Sequence, residues 1–415
     1  MSNMRISSSL FNQRGLNGIL EQQSRLIDIQ TKIASGKRIS SPSDDPSGAV
    51  QIIRLNQTQS ITEQYIRNSD TAIDRLQLEE TAIKSVQDSL VRVKELAVQA
   101  GNTVLSDQDR RAIASEVRQQ LLSIVGLANT QDSNLDYLFS GNAVSTIPFT
   151  QLAGGQVVYN GDQGQRAIQI SSGQQVNDSD PGTVFMDIVN GNGEFTVVPD
   201  NANTGTGVID PGQVFDSSAY VSDSYTINFV INGNGNLAYN IFGAGSGQVV
   251  PALPLNAVTD APDFAEGAAI RFNGIETKIE GTPAVGDSFD VDPSGRQDLF
   301  STLSNLVTAL ERNTLGPENR ALLRNDLSTA MENIDRAQDK MIEVRSSIGA
   351  RLKLVEERTL ANESFLVDVS TILSDVEDLD IVSAATELQQ RLTSLQAAQS
   401  AFVRIQGLSL FNFIR

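Results

Sequence analysis

Carboxylates are the residues best placed to do chemistry in this 415-residue chain, and three adjacent pairs stand out: Asp44-Asp45, Glu79-Glu80 and Glu356-Glu357. Such a pair could supply a general acid and a general base only if both members reached one substrate. Neighbours on a helix point about 100° apart and diverge. The pairs therefore read as solvated helix faces. Nothing stands behind them to activate a nucleophile, because the chain contains no His and no Cys. The commonest general base, a thiolate, a Cys-based zinc site and any disulfide are all excluded. Gly36-Lys37 fails the spacing of a phosphate-binding loop and follows no strand. The strings "NGNGE", "NGNGN" and "DSDPG" lack the ligand ladder of a calcium loop and read as hairpin turns. The chain is expected to hold no catalytic residue, no cofactor and no metal, and not to be an enzyme.

A formal net charge of −19 opposes binding to nucleic acid or to anionic lipid. The opening "MSNMRISSSLFNQRG" has no continuous apolar core, so no cleavable signal is visible, and no apolar run is long enough to span a membrane.

The elements that would position any site divide the sequence sharply. Residues 141–295 hold 22 of the 31 glycines and 9 of the 12 prolines, with 17 acidic residues against 3 basic ones. Runs such as "QVVYN", "RAIQI", "YTINFVI", "AIRFNGIETKI" and "SFDVD" alternate there with Asn-Gly and Pro-Gly punctuation, the pattern of antiparallel hairpins. The flanking arms are helical. Ala72, Leu76, Glu79, Ile83, Val86, Leu90, Val93, Ala97 and Ala100 advance by alternating steps of 4 and 3. Leu327, Ala330, Ile334, Ala337, Met341, Val344, Ile348, Leu352 and Val355 do the same with one irregular step. Both are near-heptad seams, with Glu79 a polar intrusion in the first.

The expected fold is α+β and multidomain: a long antiparallel, coiled-coil-like helical rod from the two arms, carrying an inserted all-β domain. Its parts are an N-terminal assembly helix and linker (1–44), the first half of the rod (45–140), the β domain (141–295), the second half of the rod (296–378) and a C-terminal assembly helix (379–415). Shorter helices near 107–130 and 297–312 complete the bundle. A helix from Pro46 to Ala100 would be roughly 80 Å long. The breakers in "GKRISSPSDDPSGAV" separate it from the helix before, with Asp45 as N-cap and Pro46 at the first helical position.

The ends carry heptad stripes outside that rod. Leu16, Ile19, Gln23, Leu26, Gln30 and Ile33 form one; Ile381, Ala385, Leu388, Leu392, Leu395, Ala398, Phe402 and Ile405 form the other. A thin helix pair has too small a core to stand alone, so the stripes call for copies of the chain or of a relative. The expected assembly interface is Leu16, Ile19, Leu26, Ile33, Ile381, Leu388, Leu392, Leu395, Phe402 and Ile405.

"MRISSSLFNQ", "IASGKRISSPSDDPSGA", "LVRVKELAVQAGN" and "LDYLFSGN" stand in an order that resembles the bacterial flagellin family over both arms, about 1–142 and 285–415. "YNGDQGQRAIQI", "VGDSFDVDPSGRQDLFSTLSNL" and the ending "LSLFNFIR" look most like the branch that joins hook to filament. The resemblance implies a structural adaptor of the extracellular flagellum, exported through the flagellar type III channel without a cleaved signal. Its implied partners are copies of itself in a ring, a hook-associated protein on the hook side and flagellin or another junction subunit on the filament side. It also implies an export chaperone, for which Leu388, Leu392, Leu395, Phe402 and Ile405 are the candidate contacts. A filament-forming flagellin is the alternative within the family. Outside it stand a cytosolic coiled-coil scaffold or β-headed fibre, and an enzyme whose β domain would need paired carboxylates across a cleft.

Overall fold

The computed structural model describes residues 8–153 and 155–411, without the side chains of 8, 9, 11, 12 and 405–411. Its helices are α1 (Ser8–Ser35), α2 (Pro46–Ala100), α3 (Asp107–Ala128), the one-turn α4 (Thr183–Met186), α5 (Leu299–Glu311), α6 (Pro317–Glu377) and α7 (Ile381–Phe411). Between α3 and α4 lie β1 (Phe149–Gln151), β2 (Val157–Tyr159), β3 (Ala167–Ser171) and β4 (Gln174–Asn177). After α4 come β5 (Ile188–Val189), β6 (Phe195–Pro199), β7 (Val208–Ile209), β8 (Gln213–Val214), β9 (Tyr225–Ile231) and β10 (Leu237–Gly243). The series closes with β11 (Gly247–Val250), β12 (Ala269–Phe272), β13 (Ile275–Glu280), β14 (Ser288–Pro293) and β15 (Arg296–Gln297). The architecture is α+β, with helices from both arms paired and the β region inserted between them.

The chain divides into two compact units, residues 69–356 and the two ends, 1–68 with 357–415. In the larger unit the two seams meet. Leu76, Ile83, Val86, Leu90 and Val93 of α2 share one core with Leu327, Ile334, Met341 and Ile348 of α6, and α3 and α5 complete it through Val117, Ile124, Leu303 and Leu306. Helices α3 and α5 each have a side-chain cap. Ser106 and Asp109 form a reciprocal capping box at α3, and Asp298 Oδ1 accepts the Ser301 N–H at 2.7 Å at α5.

The β region alternates as its sequence requires. Tyr225, Ile227 and Phe229 of β9 point inward, while Thr226, Asn228 and Val230 are half-buried. Antiparallel pairing orders one sheet β11-β10-β9-β14-β6, with Ile227 opposite both Ile241 and Phe289. A second sheet runs β12-β13-β7, and β8 also pairs with β13. Phe272, Ile275 and Ile279 of this sheet join Phe195, Tyr225 and Phe229 of the other in a single core. The hairpin β3–β4 is separate: its Ile170 and Val176 pack on Ala72 and Val355.

Charges hold that hairpin down. Arg75 of α2, buried to 2 % exposure, pairs with Asp132 and lies 3.3 Å from Asp178, which is itself fully buried. Arg166 meets the same Asp178 carboxylate at 2.6 Å. Beside this cluster, Arg351 pairs with Asp180 and donates to the Asn177 carbonyl at 3.2 Å.

Glu79 corrects the reading of the carboxylate pairs. Glu356 and Glu357 are exposed, and Asp44 and Asp45 serve the turn, but Glu79 has no exposed surface. Its seam position overrode its residue type. Glu79 Oε1 accepts the Asp180 N–H at 2.9 Å, and Oε2 is buried without a hydrogen-bond partner. Burial, reinforced by the Asp180 carboxylate and only partly opposed by Arg351, pushes this carboxyl well above its ordinary value of 4.5. The folded chain therefore holds a proton that the unfolded chain releases. This group's contribution to stability is fully present below about pH 4.5 and is lost as pH rises toward the folded value. Glu79→Gln, neutral at every pH, is expected to raise the melting temperature increasingly from pH 5 to pH 8. A difference that stays flat with pH in differential scanning calorimetry would show that Glu79 is ionised in the fold.

Candidate assembly surface

The smaller unit is built on a crossing of two chain segments. Gly36 adopts φ +71°, a left-handed conformation that ends α1, and its carbonyl accepts the Leu379 N–H at 2.9 Å. The Arg38 N–H donates to the Glu377 carbonyl at 2.7 Å, and Lys37 pairs with the Glu377 carboxylate. Helix starts flank the crossing. Asp45 Oδ1 accepts the N–H groups of Gly48 and Ser47 at 3.0 and 3.1 Å at the start of α2. The Gly48 bond foremost, then the Ser47 hydroxyl, which donates to the same oxygen at 2.8 Å, hold its carboxyl below the usual range. Asp380 does the same for α7, accepting from Val382 and Ser383 at 3.0 and 3.2 Å. Asp45→Ala is expected to lower the melting temperature by a few degrees, with the loss confined to α2's first turns. Unchanged amide exchange at Ser47 and Gly48 would contradict that role.

From the crossing, α1 and α7 run against each other. Leu26 is buried in this chain alone, as are Ile29 and Ala384. Ile19, Ile33, Leu388, Leu392, Leu395 and Phe402 are half-buried. The Phe402 ring lies over Gly15, where a Cβ would come within 2.8 Å of Cδ2. Ile29 is a contact that the heptad count had assigned to Gln30; the step of 3 from Leu26 and of 4 to Ile33 marks it. Ile405 lies in α7, but its side chain is not among those described.

The same helices carry a second apolar face. Leu16, Leu20 and Ile27 are about half exposed on α1, and Ile381 and Val382 are 62 % and 78 % exposed on α7. With Ala385, Gln389, Thr393 and Ala397, the latter two line a shallow groove of about 1040 Å³. Of the sequence-derived interface residues, then, Leu16 and Ile381 lie on the open faces while Ile19, Leu26, Ile33, Leu388, Leu392, Leu395 and Phe402 are covered or half-covered within the chain. Ion pairs Glu21–Arg25, Asp28–Lys32 and Glu387–Arg391 at i, i+4 spacing support the two helices from outside. Among the described residues no group of His, Cys, Asp or Glu is arranged to hold a metal, and no helix is long and apolar enough to cross a membrane.

Comparison with known proteins places this arrangement. Residues 6–144 match the bacterial flagellin N-terminal helical region. The flagellar junction protein FlgL of Legionella pneumophila is 35 % identical, with a TM-score of 0.71 over 79 % of this chain and 99 % of that one. FlgL of Xanthomonas campestris is 33 % identical, with a TM-score of 0.70 over 77 % of this chain and 99 % of that one. Flagellar hook-associated protein 3 of Escherichia coli is 24 % identical across 99 % of both chains. That of Salmonella typhimurium is 32 % identical over 41 % of this chain, a match that spans about half (52 %) of the Salmonella protein.

Proposed function

The chain belongs to the flagellar junction branch of the flagellin family, that of hook-associated protein 3, and from this membership we propose that it builds the junction by packing its terminal helix pair against further copies of itself. It is a structural, non-enzymatic subunit of the extracellular flagellum at the hook-filament junction, and it assembles with other flagellar components.

One observation carries the proposed packing: α1 and α7 satisfy one apolar face with each other and still present a second, through Leu16, Leu20, Ile27, Ile381 and Val382. Burying a Leu, Ile or Val side chain contributes about 1.5–3 kcal/mol, so a few such residues on each face suffice to drive side-by-side association. Ile19, Leu26, Ile33, Leu388, Leu392, Leu395 and Phe402 then act first within the subunit, fixing the pair whose outer faces neighbours cover. Before assembly the same α7 stripe, from Leu388 to Ile405, is what an export chaperone would hold in place of α1. The ring meets a hook-associated protein on the hook side and flagellin on the filament side.

Immunogold labelling of tagged chain on intact flagella tests this reading. A short band between hook and filament is expected. Label along the whole filament would make the chain a filament flagellin instead.

A further inference from the structure

The larger unit has a cationic pocket that neither the fold nor the terminal helices account for. It opens where α3 and α6 begin, with a volume of about 620 Å³, and four of its lining residues are Arg110, Arg111, Arg320 and Arg324. Asp107 is the one acid in the lining, and it is already engaged by Arg110 and Thr314. Among the described residues the guanidinium groups of Arg111 and Arg324 have no ion pair and no hydrogen bond, and that of Arg320 reaches only the Thr314 carbonyl, at 3.4 Å. Arg110 is 5 % exposed, yet its Nε lacks a partner. Uncompensated arginines, two of them at i, i+4 on α6, repel one another. Arg111, Arg320 and Arg324 are exposed and solvated in the isolated chain, so in a chain with a net charge of −19 they form a local basic patch open to an anionic partner.

Guanidinium forks favour oxyanions, and the positive ends of two helices add to the field. The cavity is too large for an inorganic anion, and its floor is apolar through Leu105, Leu323 and Leu327, with Leu315 exposed at the edge. A polypeptide segment with carboxylates beside apolar side chains uses both features. The stretch 141–295, with 17 acidic residues against 3 basic, offers such segments on every copy.

We propose that this arginine pocket binds carboxylates from the 141–295 region of a second copy of the chain, tying neighbouring subunits together away from their terminal helices. The proposal rests on the junction reading. Its first test is calorimetric titration of the full chain with a glutamate oligopeptide and, separately, with inorganic phosphate. An overall acidic protein repels such a peptide everywhere except at a basic site. Binding of the peptide, weakened at least about ten-fold by Arg111→Glu with Arg324→Glu and unaffected by Arg358→Glu, is expected. Binding of phosphate alone, or of neither, overturns the site.

The second test uses the absence of native cysteine: a benzophenone maleimide on Arg324→Cys in assembled flagella should crosslink to residues 141–295 of another copy. Crosslinks only to a different protein, or none, overturn the assigned partner. Failure of the junction reading would appear differently, as absence of the wild-type band between hook and filament.

Discussion

Replacing Arg75 with methionine is expected to lower the unfolding free energy of the unit spanning 69–356 by about 3 kcal/mol, the low end of the range for removing one partner from a buried ion cluster. The carboxylates make the loss large. Asp178 has no exposed surface and Asp132 almost none, so neither regains water when the guanidinium leaves. Arg166 still holds Asp178 at 2.6 Å, and the N–H groups of Asn134 and Asp136 still reach Asp132 Oδ1 at 2.8 and 3.0 Å, which keeps the effect from being larger. Burial alone would raise the Asp132 carboxyl; those backbone bonds and Arg75 outweigh it and hold it below its ordinary value. With Arg75 gone, Asp132 should take up a proton at a higher pH. Adding Asp132→Asn should recover part of the lost stability, because it removes the charge left unpaired. Urea titration followed by tyrosine near-ultraviolet circular dichroism reads both effects. A loss below about 1 kcal/mol would mean that Arg75 adds little to what Ile170, Val176, Arg166 and Arg351 already supply.

That cluster was invisible in the sequence for a plain reason. Arg75 and Asp132 are 57 residues apart, and no local period relates them. What was legible followed from repetition: the steps of 4 and 3 in both arms gave the seams that meet in the core, and alternation in "YTINFVI" gave β9. Glu79 marks the boundary between the two kinds of information. Its seam position was visible, but its burial depended on a segment near Asp180 that nothing in the heptad announces. Likewise Arg111 and Arg324 lie on different helices in different arms, and only the packing of α3 beside the start of α6 brings them to one opening. On α1, Ile29 was missed because Gln30 kept a more regular step, although burial follows the apolar residue.

The terminal helices separate two roles that a single apolar stripe conceals, and paired substitutions should pull them apart. Val382→Asp together with Leu20→Asp places charge on surfaces that are 78 % and 53 % exposed in the isolated chain, so its thermal unfolding should change little. In the proposed packing those positions lie against a neighbour. Each subunit then forfeits about 1.5–3 kcal/mol of burial per side chain and must also desolvate two unpaired carboxylates. Because every subunit repeats the defect, the ring should not form: tagged protein should accumulate in the culture medium and the band between hook and filament should vanish. Leu392→Asp acts on the half-buried inner face and should instead loosen α1 from α7, seen as faster amide exchange near Leu26 and Ile29 in the monomer. If the outer-face variant assembles normally while the inner-face variant does not, neighbours contact the chain through the covered stripe, and α1 and α7 must part before they join the ring.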